Sequence, residues 1–122
     1  MKSNIPYNQE VTKVSFDFDG TLGHQPHIQR LAHEMCKDPH NEVHIITRRY
    51  DYIHPEAGDE ITQVLQVASM LKIPRERIHF LNRQYKVNKI KELGIHIHWD
   101  DDFTEIALIR RDYPKCIGFI TL

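Results

Sequence analysis

The chain has no surplus of charge of either sign: 16 Lys and Arg stand against 17 Asp and Glu, for a formal net charge of -1 at pH 7 with histidine neutral. Without excess cations there is little to displace counterions from a polyanion. This argues against a protein that holds nucleic acid by electrostatics alone, while leaving room for local basic patches. Long apolar runs are missing as well. Lys2 has no hydrophobic stretch behind it and no segment is long enough to cross a bilayer, so a cytoplasmic protein is expected. Cysteine is scarce: Cys36 lies in a helical pattern and Cys116 at a strand start, both in apolar contexts, which suits buried, reduced thiols. Internal repeats and low-complexity segments are also absent.

A length of 122 residues is enough for one domain with a single core and too short for two. With 40% hydrophobic and 27% charged residues the composition is that of an ordinary globular chain. Nine histidines make the net charge climb as pH falls through the imidazole range. Residues 1–10 are polar and read as a tail or lead-in. Val11, Val14, Phe16 and Phe18 then signal a strand, stopped by Gly20 and Thr21.

Ile28, Leu31, Ala32 and Met35 follow at helical spacing, predicting a helix from about His27 to Lys37. Val43 to Thr47 reads as the second strand and Arg48 to Gly58 as a loop. Asp59 is placed as the cap of a helix carrying Ile61, Val64, Leu65, Ala68 and Leu71 on one face. Ile78 to Leu81 is a short third strand. The next helix carries Val87, Ile90 and Leu93 and ends at Gly94. Ile95 to Trp99 makes a fourth strand, Asp102 to Arg111 a helix, and Cys116 to Ile120 a fifth strand. Strands alternating with helices predict an α/β fold, a parallel sheet wrapped on both faces with every strand's carboxyl end on one edge.

Chemistry concentrates at the end of the first strand, in Phe16-Asp17-Phe18-Asp19-Gly20-Thr21. Asp17 and Asp19 point to the same side of an extended backbone, so ionising both is opposed by like-charge repulsion unless a cation intervenes. All-oxygen ligands select a divalent metal, and Mg2+ is the expectation. A calcium-binding helix-loop-helix is excluded, because the places for its glycine and its bidentate acid hold Leu22 and Ile28. The plain alternative is an Asp-Gly turn whose acids only cap and solvate.

Asp100, Asp101 and Asp102 form a second acidic group after an apolar strand, where three adjacent carboxylates repel strongly without a cation. Asp102 also suits the N-cap of the next helix, with Glu105 three residues on as in a capping box; the lesser alternative for Glu105 is to support the metal from behind its ligands. His96 and His98 alternate along their strand without a third ligand at telling spacing, and a supporting structural role is expected of them.

The DxDGT stretch after a hydrophobic strand resembles the first motif of the haloacid dehalogenase-like (HAD) phosphatases. Three further matches follow in that family's order: Thr47 ending Val43-His44-Ile45-Ile46, Lys86 at a helix start, and the acidic group closing Ile95 to Trp99. The resemblance spans Asp17 to Asp101. It implies a three-layer Rossmann-like sandwich with strand order 5-4-1-2-3 and the DGT strand central. It also implies that Asp17 is a nucleophile forming an acyl phosphate, and that Asp19 is the acid that protonates the leaving oxygen and then activates water.

By the same resemblance the Thr47 hydroxyl holds a phosphoryl oxygen, and the Lys86 ammonium neutralises that group and keeps Asp17 ionised. Lys89 and Lys91 compete with Lys86 but fall later in the helix. Asp101 is the first choice and Asp100 the second as metal ligands beside Asp17 and Asp19, while Gly20 and Thr21 lie at the substrate. Only 30 positions separate Asp17 from Thr47, so no cap domain is expected.

An open site suits large substrates, and Arg48, Arg49, Tyr50, Tyr52 and His54 follow Thr47. Guanidinium forks and aromatic faces can hold a second phosphate and stack on a base, which points to a nucleotide or nucleic-acid end; a solvated loop is the alternative. Two functions therefore remain in view. One is a Mg2+-dependent phosphomonoester hydrolase. The other is an inactive HAD-like phosphoacceptor or interaction module. Response-regulator receivers use similar chemistry, but they carry the acceptor Asp on the third strand.

Overall fold

A computed structural model describes residues 11–51 and 60–122. Its centre is a five-stranded, all-parallel sheet: β1 (Thr12–Phe16), β2 (Asn41–Thr47), β3 (Ile78–Phe80), β4 (Ile97–Asp100) and β5 (Ile117–Ile120), in the order β3-β2-β1-β4-β5. Read from the other edge this is 5-4-1-2-3, with the DGT strand in the middle. Val14 pairs with Val43 on one side and Ile97 on the other, while Phe16 pairs with Ile45 and Trp99.

Alternation along the strands decides which helices cover which face. Val14, Phe16, Val43 and Ile45 pack under α1 (Pro26–Lys37) and α2 (Glu60–Leu71), through Ile28, Ala32, Val64 and Ala68. Ile46 faces the opposite layer, formed by α3 (Val87–Leu93) and α4 (Phe103–Asp112) with Val87, Ile90, Ile106 and Ile109. The architecture is therefore a three-layer, Rossmann-like α/β sandwich. No described helix is long and apolar enough to cross a membrane. Residues 1–10 and 52–59, which include Tyr52, His54 and the expected Asp59 cap, lie outside the described residues.

The boundaries differ from the sequence reading in instructive places. Val11 lies outside β1, and β3 stops at Phe80 rather than Leu81. The fourth strand begins at Ile97, not Ile95, because Ile95 completes the turn that caps α3. Gly94 takes a left-handed φ of 69°, and the Ile95 N–H reaches back to the Ile90 carbonyl at 3.0 Å, burying Ile95 between α3 and α4. That strand also runs one residue further, so Asp100 is a strand residue with an inward side chain. Cys116 precedes β5 and is buried, Cys36 is half-buried, both are free, and burial pushes both thiols up.

At the β2–β3 edge His44 and His79 stack, with His44 Nδ1 3.0 Å from His79 Nε2 and His44 Nε2 2.8 Å from Glu42. Burial, the neighbouring His44 and nearby Lys89 hold His79 down to about 4. A base with a depressed folded-state pKa takes up its proton in the unfolded chain first. Its contribution is therefore present above about pH 6.5 and is lost as pH falls toward 4. Urea unfolding at pH 7 and pH 4.5 should show a smaller loss in His79→Gln than in wild type. The difference should be on the order of 1 kcal/mol, since the ring is only half-buried. An unchanged pH dependence would remove the assignment.

Candidate active site at the carboxyl edge of the sheet

The residues after β1 form a tight turn that aims acids away from the core. Phe18 and Leu22 are buried as anchors, and the turn closes through Leu22 N–H to the Asp17 carbonyl at 3.1 Å and Gly23 N–H to the Phe18 carbonyl at 2.8 Å. Asp17 continues the strand direction, its N–H held by the Trp99 carbonyl at 2.9 Å. Gly20 has φ 73°, a conformation that side chains disfavour, and a Cβ built on it would run into the Asp101 carboxylate. Glycine is needed there twice, once for the backbone and once for the space. Gly20→Ala should cost about 1–2 kcal/mol from the left-handed backbone alone, read by urea unfolding. By displacing Asp101 it should also weaken divalent-cation binding about tenfold, read by calorimetry.

Lys86 arrives from the opposite layer. Beyond β3 the chain passes through two left-handed residues, Asn82 and Arg83, and its backbone is tied to the loop after β2. Leu81, Asn82 and Arg83 N–H groups donate to the carbonyls of Thr47, Arg49 and Arg48. This lacing delivers Lys86 to the start of α3 with its side chain inside the sheet edge. Lys86 is 2% exposed, and its ammonium lies 2.8 Å from Asp17 Oδ1 and 2.7 Å from Asp100 Oδ2. Lys89 instead pairs with Glu92 at the surface and Lys91 is exposed, so Lys86 is the lysine at the site.

Asp100 is gripped on every side. His98 Nε2 lies 2.8 Å from Oδ2, and the Asp102 N–H donates to Oδ1 at 3.0 Å. His98 is fully buried with Ser15 Oγ 2.7 Å from Nδ1. Burial lowers the His98 pKa, so the ring is neutral: Nε2–H donates to Asp100 and the Ser15 hydroxyl donates to Nδ1.

Burial works against an ionised Asp100 as well, but the His98 hydrogen bond and the Lys86 charge prevail and hold it at about 2. Asp17 fares differently. Burial is the largest influence and Asp100 adds repulsion, so despite Lys86 its carboxyl is pushed up to about 8. Burial also opposes the charge on Lys86, yet Asp17, Asp100 and Glu105 outweigh it and raise its pKa. One ammonium thus serves two buried carboxylates, and Asp100 has the better claim.

Asp17, Asp100 and Asp101 each offer an oxygen within 4.8 Å of one another, a grouping able to hold a metal ion. Three of the four metal-ligand candidates from the sequence therefore converge. Asp101 has the freer lone pairs, since both Asp100 oxygens already accept from the protein. Asp19 stands apart: Arg49 takes both its oxygens in a fork, Nε to Oδ2 at 2.9 Å and Nη2 to Oδ1 at 2.7 Å, and holds its carboxyl below the usual range.

All five acids, Asp17, Asp19, Asp100, Asp101 and Asp102, line one cleft of about 380 Å³ together with Gly20, Arg48, Arg49, Arg83 and Lys86. Thr47 ends β2 as expected, but it is buried and its Oγ1 accepts from the Arg49 N–H at 3.2 Å. The Thr21 side chain is fully buried beneath the turn, its hydroxyl 3.4 Å from Asp17 Oδ2 and 3.1 Å from Thr121 Oγ1.

One residue departs from its expected capping role and another escaped the sequence reading. Glu105 does not close a capping box. Asp102 caps α4 through the Thr104 N–H, while Glu105 is fully buried and accepts from the Lys86 N–H at 3.0 Å. Its Oε2 makes no hydrogen bond and lies 3.9 Å from both Lys86 Nζ and Arg48 Nε. The signal was available, because Glu105 precedes the buried Ile109 by four residues and so shares its inward stripe. Arg83 is the other, on the cleft wall over the Tyr50 ring and paired with Glu60 at 3.2 Å. Nothing in its local pattern marks it. No family model matches the chain, and comparison with curated proteins and with solved structures gives no match either.

Proposed function

We propose that the chain is a HAD-like, Mg2+-dependent phosphomonoester hydrolase that works through an aspartyl phosphate on Asp17, in the cytoplasm. One observation carries the reading: Asp17, at the tip of the central strand, shares an open cleft with Asp100, Asp101 and a buried lysine that touches it at 2.8 Å. A hard, all-oxygen donor set suits Mg2+, and the need for one is electrostatic, since Lys86 alone does not neutralise the carboxylates around it. Asp17, Asp101 and Asp100 would hold the ion, which when bound supplies positive charge to the phosphoryl oxygens.

The remaining steps belong to the chain itself. An Asp17 oxygen attacks phosphorus as the ester P–O bond breaks, and the leaving oxygen takes a proton from Asp19. Water then attacks phosphorus, gives its proton to the Asp19 carboxylate, and the Asp17–phosphorus bond breaks to release phosphate. Lys86 keeps Asp17 aligned and balances charge on the phosphoryl group. Arg48 and Arg49, beside Tyr50 and Tyr85, support a nucleotide or nucleic-acid end as substrate: Arg48 lies over the Tyr85 ring at 4.7 Å and Arg49 over the Phe18 ring at 4.9 Å.

The Arg49–Asp19 fork favours a second reading, because a carboxyl held in an ion pair is a poor acid. On that reading the protein is a phosphoacceptor or interaction module without turnover. Phosphate release from a panel of monoesters, with and without Mg2+, separates the two. Metal-dependent multiple turnover supports the hydrolase, and its absence across the panel leaves the second reading.

A further inference from the structure

Arg49 is bound at three points. Its Nε and Nη2 clasp the Asp19 carboxylate, its Nη1 donates to the Glu60 carbonyl at 2.6 Å, and its guanidinium carbon lies over the Phe18 ring. The side chain is only 12% exposed while that of Asp19 is 51% exposed, so the cation is the fixed member of the pair and the acid the open one. The Nε and Nη2 donors that make its fork are committed to Asp19. Arg49 therefore cannot offer that fork to a substrate phosphate and to Asp19 together, and a leaving oxygen that approaches Asp19 competes with it.

An isolated guanidinium released inside this wall would be costly. A fork transferred from one anion to another is not. The Glu60 carbonyl and the Phe18 face provide a pivot that need not move during such an exchange.

We propose that Arg49 is a specificity-determining clamp that lets go of Asp19 only when a second phosphate of the substrate takes its fork, so that the site selects esters carrying two phosphates over simple monoesters. This rests on the phosphatase reading and deepens it. Arg48 and Arg83 line the same cleft and add attraction for the second anion. Asp19 then becomes free at the moment the ester to be cleaved is seated beside Asp17.

The test compares wild type with Arg49→Gln and Arg49→Lys at saturating Mg2+, using 4-nitrophenyl phosphate and a nucleoside 3′,5′-bisphosphate. Wild type should prefer the bisphosphate in kcat/KM. Arg49→Gln should shrink that preference about tenfold or more, lowering kcat/KM on the bisphosphate by a larger factor than on the aryl phosphate. Arg49→Lys, which keeps the charge but loses the fork, should fall between. Equal losses on both esters, or an unaltered preference, would overturn the clamp.

If neither ester is turned over by any form, the hydrolase reading has failed and binding decides the inference. Calorimetry on Asp17→Asn should show tighter binding of the bisphosphate than of the nucleoside monophosphate, a difference lost when Arg49→Gln is added. Equal binding of the two overturns the clamp, whatever the fate of the hydrolase reading.

Discussion

Asp17→Asn is expected to abolish Mg2+-dependent phosphate release, a loss of at least about a thousandfold in kcat, because an amide oxygen cannot form the acyl phosphate that divides the displacement into two steps. The fold should tolerate the change. Asp17 is buried beside an ammonium that retains Asp100 at 2.7 Å, and an amide in its place removes a carboxyl whose ionisation burial, and then Asp100, oppose strongly enough to push it up to about 8. Stability at neutral pH should therefore hold or rise while activity disappears, which separates a chemical role from a structural one. Turnover within tenfold of wild type in a folded Asp17→Asn protein would exclude Asp17 as nucleophile.

Lys86→Met should do the reverse, damaging fold and activity together. Its ammonium touches Asp17 and Asp100, with Glu105 close by, and all three acids are buried. Breaking a buried pair by removing one partner costs about 3–5 kcal/mol, to be read from urea unfolding at pH 7. The pH dependence should also shift. In wild type Asp100, at about 2, lends stability that is present above its ordinary carboxylate pKa and is lost as pH falls toward 2. Without Lys86 its folded-state pKa rises, although the His98 and Asp102 hydrogen bonds remain, so Asp100 should lend less stability at neutral pH and that stability should be lost at a higher pH than in wild type.

Millimolar Mg2+ should restore part of the stability of Lys86→Met at pH 7, since a cation bound to the folded state shifts the equilibrium toward it. A variant as stable as wild type, with the same pH profile, would show that the buried ammonium does not organise the site.

Much of this was legible locally. Apolar residues at spacings of two and three to four placed the five strands and the four α-helices, because those periods are imposed by the backbone within each segment. The acid pair before Gly20 and the acids after Trp99 were legible for the same reason, as charged residues at strand ends. What eluded a linear reading depends on partners far away in the chain. Asp19 and Arg49 are separated by 30 positions and Lys86 and Asp17 by 69. No local pattern states which acid meets which cation.

The sequence by itself determined that this chain builds a parallel α/β sheet and gathers its acids on one edge, since hydrophobic period and strand-ending glycine are local properties. Only the tertiary structure decided how those acids divide their cations: Asp100 with Lys86 and His98, Asp19 with Arg49, and Asp17 left in need of positive charge. The physical reason is that electrostatic pairing inside a sheet edge depends on distance and burial, and both are set by packing between layers.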